Sequence, residues 1–202
     1  MHRKKLFSTA LVATCLLSSG CARYRAQPLL QLVNPCPAHP INTEDIKFAH
    51  KVFSPADCKI FLDRDVLRHG YQPVQITITN NSNRYLRFSA RGISLPCVPP
   101  FEVAQRVHTS TVSRVVGWGV PGLFIWPFLI PAVVDGVGSE NANKQLDIDY
   151  ATKFARAQVI EPYTTLNGII FVPLHSFNPH FTVTLVDQET REKITFASIP
   201  HP

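Results

Sequence analysis

Charge is scarce in this chain of 202 residues. Asp, Glu, Lys and Arg together make up 17%, against about 25% in an ordinary soluble domain. Apolar residues stand at 45%, enough to build a core. The composition excludes a disordered protein, a coiled coil and a histone-like nucleic-acid binder. Long uninterrupted helices are disfavoured on separate grounds. The chain holds 17 prolines, each of which fixes φ and removes a backbone donor.

The sequence patterns of known chemistry are missing too. There is no C-x-x-C, no H-E-x-x-H, no phosphate loop, no dinucleotide fingerprint and no G-x-S-x-G elbow, so no catalytic residue, metal ligand or cofactor is expected. His175 and His180 lie five apart across Phe177 and Pro179 with no acidic neighbour between them, and read as solvated loop histidines. Asp63 with Asp65, and Asp147 with Asp149, have the spacing of paired carboxylates that could serve acid–base work. The commoner use of such pairs is as solvated groups flanking short elements. Gly136-Val137-Gly138-Ser139 reads as a loop ending in a helix cap. No internal repeat and no GxxxG helix-dimer spacing occurs.

What is present begins at the N-terminus. His2-Arg3-Lys4-Lys5 is a positive head, Leu6 to Leu17 is a mostly apolar run interrupted by Ser8, Thr9 and Thr14, and Ser18-Ser19-Gly20-Cys21 supplies small residues and a cysteine. Twelve residues fall short of the roughly 20 that cross a bilayer as a helix. A charged head, short apolar middle and small-residue exit is the pattern of a secretory signal peptide, expected over residues 1–20. Those residues carry Arg3, Lys4 and Lys5 and no acid, so half of the formal +6 belongs to the export segment and +3 is left behind it. The remaining cations form no stripe, and nucleic acid is not an expected partner.

Leu17-Ser18-Ser19-Gly20-Cys21 resembles the lipobox of bacterial lipoproteins, the family cleaved by a dedicated signal peptidase before the cysteine. Gly20 fits the position before the cut and Cys21 the lipidated one. Ser18 departs from the leucine usual there, which stands one place early as Leu17. The resemblance implies a thioether-linked diacylglycerol on Cys21 with a further amide-linked acyl chain (palmitate among the expected lipids). It therefore implies the membrane as a partner through those chains. Two or three acyl chains suffice for stable anchoring. Ala22 is not the aspartate that retains many of these proteins at the inner membrane, so the resemblance implies the outer membrane more than the inner.

Three cysteines follow, Cys36, Cys58 and Cys97. In an oxidising compartment they allow one disulfide and a spare thiol, with the pairing left open by the sequence, or three small buried residues. Residues 21–44, with Pro28, Pro35, Pro37 and Pro40, read as an extended tether holding the body off the bilayer. Leu29, Leu30, Leu32 and Val33 interrupt its polarity and offer a way to dock on the body.

The body is expected as a single domain over 45–202. Phe48 to Phe53 reads as a strand. Ser54-Pro55 marks a helix through about Phe61. Val74, Ile76 and Ile78 alternate with Gln75, Thr77 and Thr79, which predicts a strand with one face buried and one solvated. After the turn cluster Asn80-Asn81-Ser82-Asn83, Leu86, Phe88 and Ala90 resume the alternation, which predicts a hairpin. Ile169 to Val172 reads as a central strand. Phe181, Val183 and Leu185, then Ile194 and Phe196, read as a hairpin turning at Asp187 to Arg191. The expected fold is mainly β (α+β), an immunoglobulin-like antiparallel β-sandwich with a helical hairpin insertion at about 100–157. One inserted helix carries Val103, Ala104, Val107 and Thr111. A second, capped by Ser139, carries the stripe Ala142, Leu146, Tyr150 and Phe154.

Val115 to Val134 has no charge and contains Trp118, Phe124, Trp126 and Phe128. Its length suits a membrane span. Pro121, Pro127, Pro131 and three glycines break it, and a span would strand the two β blocks on opposite sides of the bilayer. A buried hairpin remains, or an exposed aromatic loop contacting a bilayer or another envelope protein. The expectation for function is a lipid-anchored cell-envelope protein that binds or assembles and does not catalyse. Two alternatives stand beside it: an envelope hydrolase with an unrecognised His/Asp site, and a membrane-interacting protein using the 115–134 segment.

Overall fold

A computed structural model of the chain describes residues 24–32, 45–108 and 129–198, and of 129–139 the backbone alone. Two compact units emerge, Met1–Arg25 with His108–Ile148, and Ala26–Val107 with Asp149–Pro202. The class is α+β, mostly β. Seven strands among the described residues form two antiparallel sheets.

The first sheet has the order β1-β2-β5, with β1 Ile46–Val52, β2 Tyr71–Asn80 and β5 Thr165–Pro173. The second has the order β4-β3-β6-β7, with β3 Leu86–Phe88, β4 Gln158–Ile160, β6 Thr182–Asp187 and β7 Lys193–Ala197. Period-two alternation decides which residues meet between them. Phe48, Val74, Ile76, Ile78, Leu166, Ile170 and Val172 from the first sheet share one buried cluster with Leu86, Phe88, Ile160, Val183, Leu185, Ile194 and Phe196 from the second. The hairpin expected at the C-terminus is there: Val183 pairs with Phe196 and Leu185 with Ile194.

The other expected hairpin is not. β2 pairs with β1 and β5, whereas β3 pairs with β4 and β6, so the chain crosses from one sheet to the other at the asparagine cluster. Asn80, fully buried, holds that corner. Its amide donates to the carbonyls of Arg84 at 2.7 Å and Glu161 at 3.0 Å, and its Oδ1 accepts from Ser82 N and Ser82 Oγ. Strands facing each other across a core and strands paired edge to edge show the same alternation, which specifies a face and leaves the neighbour open.

Ile169 to Val172 is likewise placed differently from expectation. β5 is the last strand of its sheet, yet both its faces are buried. Its outer edge is met by single bridges, Val98 N to Phe171 O at 2.8 Å and Ala155 N to Ile169 O at 2.9 Å. These satisfy an edge that would otherwise be open. Gly168 allows the approach of the second segment, since a Cβ there would sit 2.9 Å from the backbone N and Cα of Ala155.

Three α-helices among the described residues accompany the sheets. α1 spans Pro55–Leu62 and begins as read from the sequence, with Ser54 as N-cap and proline in the first turn. Asp57 completes a capping box: Asp57 N donates to Ser54 Oγ at 3.2 Å and Ser54 N to Asp57 Oδ2 at 3.0 Å,. α2 spans Pro100–Val107 and buries Val103, Ala104 and Val107. Thr111, expected on the same stripe, lies outside the described residues. α3 spans Leu129–Lys153, so Ser139 is interior and does not cap it. Pro131 falls in the first turn, where backbone N–H groups have no intrahelical acceptor and a proline forfeits nothing. Ala142, Leu146 and Tyr150 are buried. Among the described residues no helix is long and apolar enough to cross a membrane.

Candidate functional site

The outer face of the first sheet is where the structure departs furthest from a simple half-buried strand. Gln75 and Thr77, expected to face solvent, are each 2% exposed. Part of the cover is the chain's own N-terminal segment, residues 26–32. Across the three strands, Ala49 pairs with Thr77 and Thr77 with Asn167, giving a neutral floor of a methyl, a hydroxyl and an amide. Gln75 donates through Nε2 to the Leu30 carbonyl at 2.6 Å and to Asn167 Oδ1 at 2.9 Å. Thr77 Oγ1 donates to the same Oδ1 at 2.9 Å and receives Leu32 N at 3.4 Å. Further along, Gln27 N donates to the Ile60 carbonyl of α1 at 2.8 Å. Leu29 and Leu32 are half-buried while Leu30 points outward, 71% exposed.

The proline-rich stretch is therefore not an extended tether from end to end. Its first described part is a strap laid on the body. Its grip is by backbone groups to Gln75, Thr77 and Ile60, which satisfies main-chain polar groups that a docked loop would otherwise bury unpaired. The sequence reading missed Gln75, Thr77 and Asn167. The available clue is that the polar face of β2 (Gln75, Thr77, Thr79) bears amides and hydroxyls only, whereas the solvated strands β3 and β7 carry Arg87 and Lys193.

The β5 side of the same face is covered from the C-terminal part of the chain. Tyr150 stacks on Phe171 with ring centroids 5.6 Å apart, and Phe154 on Phe171 at 6.4 Å. This confirms the expected packing of the helical stripe onto the sheet for these two residues. The last turn of α3 also finishes α1. Lys153 Nζ donates to Phe61 O at 2.7 Å and pairs with Asp149 Oδ2 at 2.6 Å, and Tyr150 OH donates to Leu62 O at 3.3 Å. A cation at the carbonyl end of a helix complements its dipole. Burial pushes the Tyr150 hydroxyl far above its ordinary range, keeping it a neutral donor.

The other candidates from the sequence fall as follows. Gly20, Cys21, Cys36, Trp118, Phe124, Trp126 and Phe128 lie outside the described residues. Cys58 and Cys97 are free thiols and are not joined to each other. Cys58 is fully buried in α1, and Cys97 packs against the core cluster. Burial pushes both thiols up to about 11, with Asp65 and Asp57 adding to the effect at Cys58, so neither is a reactive thiolate at neutral pH. The aspartates all have partners: Asp63 pairs with Arg64 at 2.7 Å, Asp65 with Arg68 at 3.1 Å and Asp149 with Lys153, and Asp147 hydrogen-bonds His108 at 2.6 Å. His175 and His180 are exposed. No group of three or more His, Cys, Asp and Glu suited to a metal occurs among the described residues.

The His108–Asp147 pair belongs to the unit His108–Ile148. Nε2 meets Oδ1 at 2.6 Å, with the two side chains 28% and 37% exposed. It ties the residue after α2 to the face of α3. An imidazole held by a carboxylate is also the orienting half of an acid–base apparatus. No protein-family model matches the chain, and no curated protein matches it at a significant level.

Proposed function

We propose that this chain is a bacterial envelope lipoprotein, acylated at Cys21, whose β-rich body is an immunoglobulin-like sandwich acting as a binding or assembly module. The observation that carries the reading is an adjacency. The lipobox-like Ser18-Ser19-Gly20-Cys21 is followed six residues later by a segment fastened to the body at Gln27 and beyond. A lipid on Cys21 would thus be coupled directly to the folded unit. Strand order supports the immunoglobulin-like description. Lettered in chain order, the sheets are A-B-E and D-C-F-G, which differs from the constant-type arrangement only in the fourth strand having moved from beside E to beside C. The outer membrane is the favoured location, on the strength of Ala22. The uncharged aromatic stretch with Trp118, Phe124, Trp126 and Phe128 is the favoured contact for a bilayer or for another envelope protein.

Metabolic labelling with palmitate in the native host tests this. Wild type should carry label and fractionate with membranes, and Cys21→Ala should lose both. Label that persists in Cys21→Ala would sink the anchor assignment. The hydrolase alternative has one observation in its favour, the His108–Asp147 pair. It requires that the full chain cleave an ester or amide of envelope origin and that His108→Ala abolish the cleavage.

A further inference from the structure

Resting on the lipoprotein reading, the geometry of the strap points to a second contact with the membrane. We infer that the corner formed by Leu30 and α1, with Ile60 and Lys59, lies on the headgroup surface of the bilayer that holds the acyl chains. The first argument is length. From Cys21 to the first fastened amide, Gln27, there are six residues, which reach at most about 22 Å when fully extended. A compact unit of the length of the larger one has a radius of gyration of about 14 Å, so it is roughly 36 Å across. The leash is shorter than this unit, so of its sides the one on which the strap enters lies nearest the lipid.

The second argument is what that side presents. Gln27 N is bonded to the carbonyl of Ile60, so the entry point and α1 adjoin. Ile60 is 42% and Leu30 71% exposed, and Lys59 between α1 and solvent is exposed as well. Apolar side chains beside a lysine suit the boundary between acyl chains and anionic headgroups, where the aliphatic stem lies in the apolar layer and the ammonium stays in water. The other end of the sandwich is chemically different. Thr195 of β7 is exposed on the outer face of the second sheet, separated from the strap by both sheets and the core, which are spaced about 10 Å apart.

The full lipidated chain, reconstituted in vesicles of phosphatidylethanolamine and phosphatidylglycerol, carries a photo-crosslinking phenylalanine analogue at position 60, 30 or 195. Acyl mass on Cys21 is measured first. Its absence overturns the lipoprotein reading and this inference with it. With the acyl mass present, lipid adducts are expected at 60 and 30 and lost at 195. Adducts absent at 60 and 30, or equal at all three, overturn the inference and leave the lipoprotein reading standing. A flexible Gly-Ser insertion longer than the body, placed between Arg25 and Ala26, should abolish the adducts at 60 without removing the acyl mass. Adducts undiminished by the insertion overturn the role of the leash.

Discussion

Replacing Gln75 with leucine isolates the strap. The side chain is 2% exposed and its Nε2 makes two bonds, 2.6 Å to the Leu30 carbonyl and 2.9 Å to Asn167 Oδ1. Leucine fills a similar volume and donates nothing. Asn167 Oδ1 keeps Thr77 Oγ1 as a donor, but the Leu30 carbonyl loses its side-chain partner. Each net bond is worth about 0.5–1.5 kcal/mol, and two are lost. A cost of about 1–3 kcal/mol follows, falling on the strap's attachment. Since 1.4 kcal/mol is tenfold, hydrogen exchange at the amides of Gln27 and Leu32 should accelerate by roughly tenfold to a hundredfold. Amides of β6 and β7, on the far sheet, should slow or speed only with global stability. Thr79→Val on the same strand row, whose hydroxyl contacts Thr165 and no strap residue, is the control. Unchanged exchange at Gln27 and Leu32 in Gln75→Leu, or an equal acceleration in Thr79→Val, would refute the assignment of Gln75 as the strap's holding residue.

Phe171→Ala should cost about 3–5 kcal/mol in urea unfolding with an unchanged m-value, because it removes a fully buried ring on which Tyr150 and Phe154 both stack,; a loss under about 1 kcal/mol would show that the ring is no shelf for α3. Acid should destabilise the body through Asp187. The backbone N–H of Thr190, followed by that of Glu189 and the Arg84 guanidinium 3.6 Å away, holds this carboxyl below its ordinary 3.8 against the opposing effect of burial. A depressed native value means the unfolded chain takes up the proton first. The stabilisation is present above pH 3.8 and is lost as pH falls through the lower native value. Urea midpoints measured from neutrality down through that window should fall in wild type and less steeply in Asp187→Asn; parallel curves would refute the coupling.

What was legible in the sequence was faces and local starts. Val74-Ile76-Ile78, Leu86-Phe88, Val183-Leu185 and Ile194-Phe196 all point into the core as their alternation requires, and Ser54 caps α1 as its position before Pro55 requires. These features depend on neighbours within a few residues. Partnership depends on distant ones. Nothing near Asn80 in sequence says that its amide will reach the carbonyl of Glu161, 81 positions on, so the turn cluster read as a hairpin when it is a crossover. Gln75 and Thr77 read as solvated for the same reason. What covers them comes from residues 26–32 and, across the sheet, from a strand some 90 residues away. The start of α3 was misplaced by a different cause. Gly136 and Gly138 lower helix propensity, and the burial of Ala142, Leu146 and Tyr150 further along supplies the tertiary packing that overrides it.

Covering one sheet with the chain's own N-terminus narrows what the proposed module can offer a partner. The first sheet is occupied on its inner face by the core, and on its outer face by the strap and the end of α3. The second sheet has its outer face in water. Arg87 there bonds Gln188 at 3.0 Å, Thr184 bonds Thr195 at 3.0 Å, and Val159 is 43% exposed. Its border strands are short, three residues in β4 and five in β7 with Lys193 exposed at one end, which discourages pairing with a stranger's strand. A partner would therefore meet side chains on this face more readily than backbone at its edges. If the short leash turns the strap side towards lipid, the same rotation turns this face away from the membrane. Anchoring and presentation would then follow from one arrangement: with only five residues between Cys21 and Gln27, an acylated Cys21 would hold the strap side of this unit nearest the bilayer and leave the outer face of the second sheet for a partner.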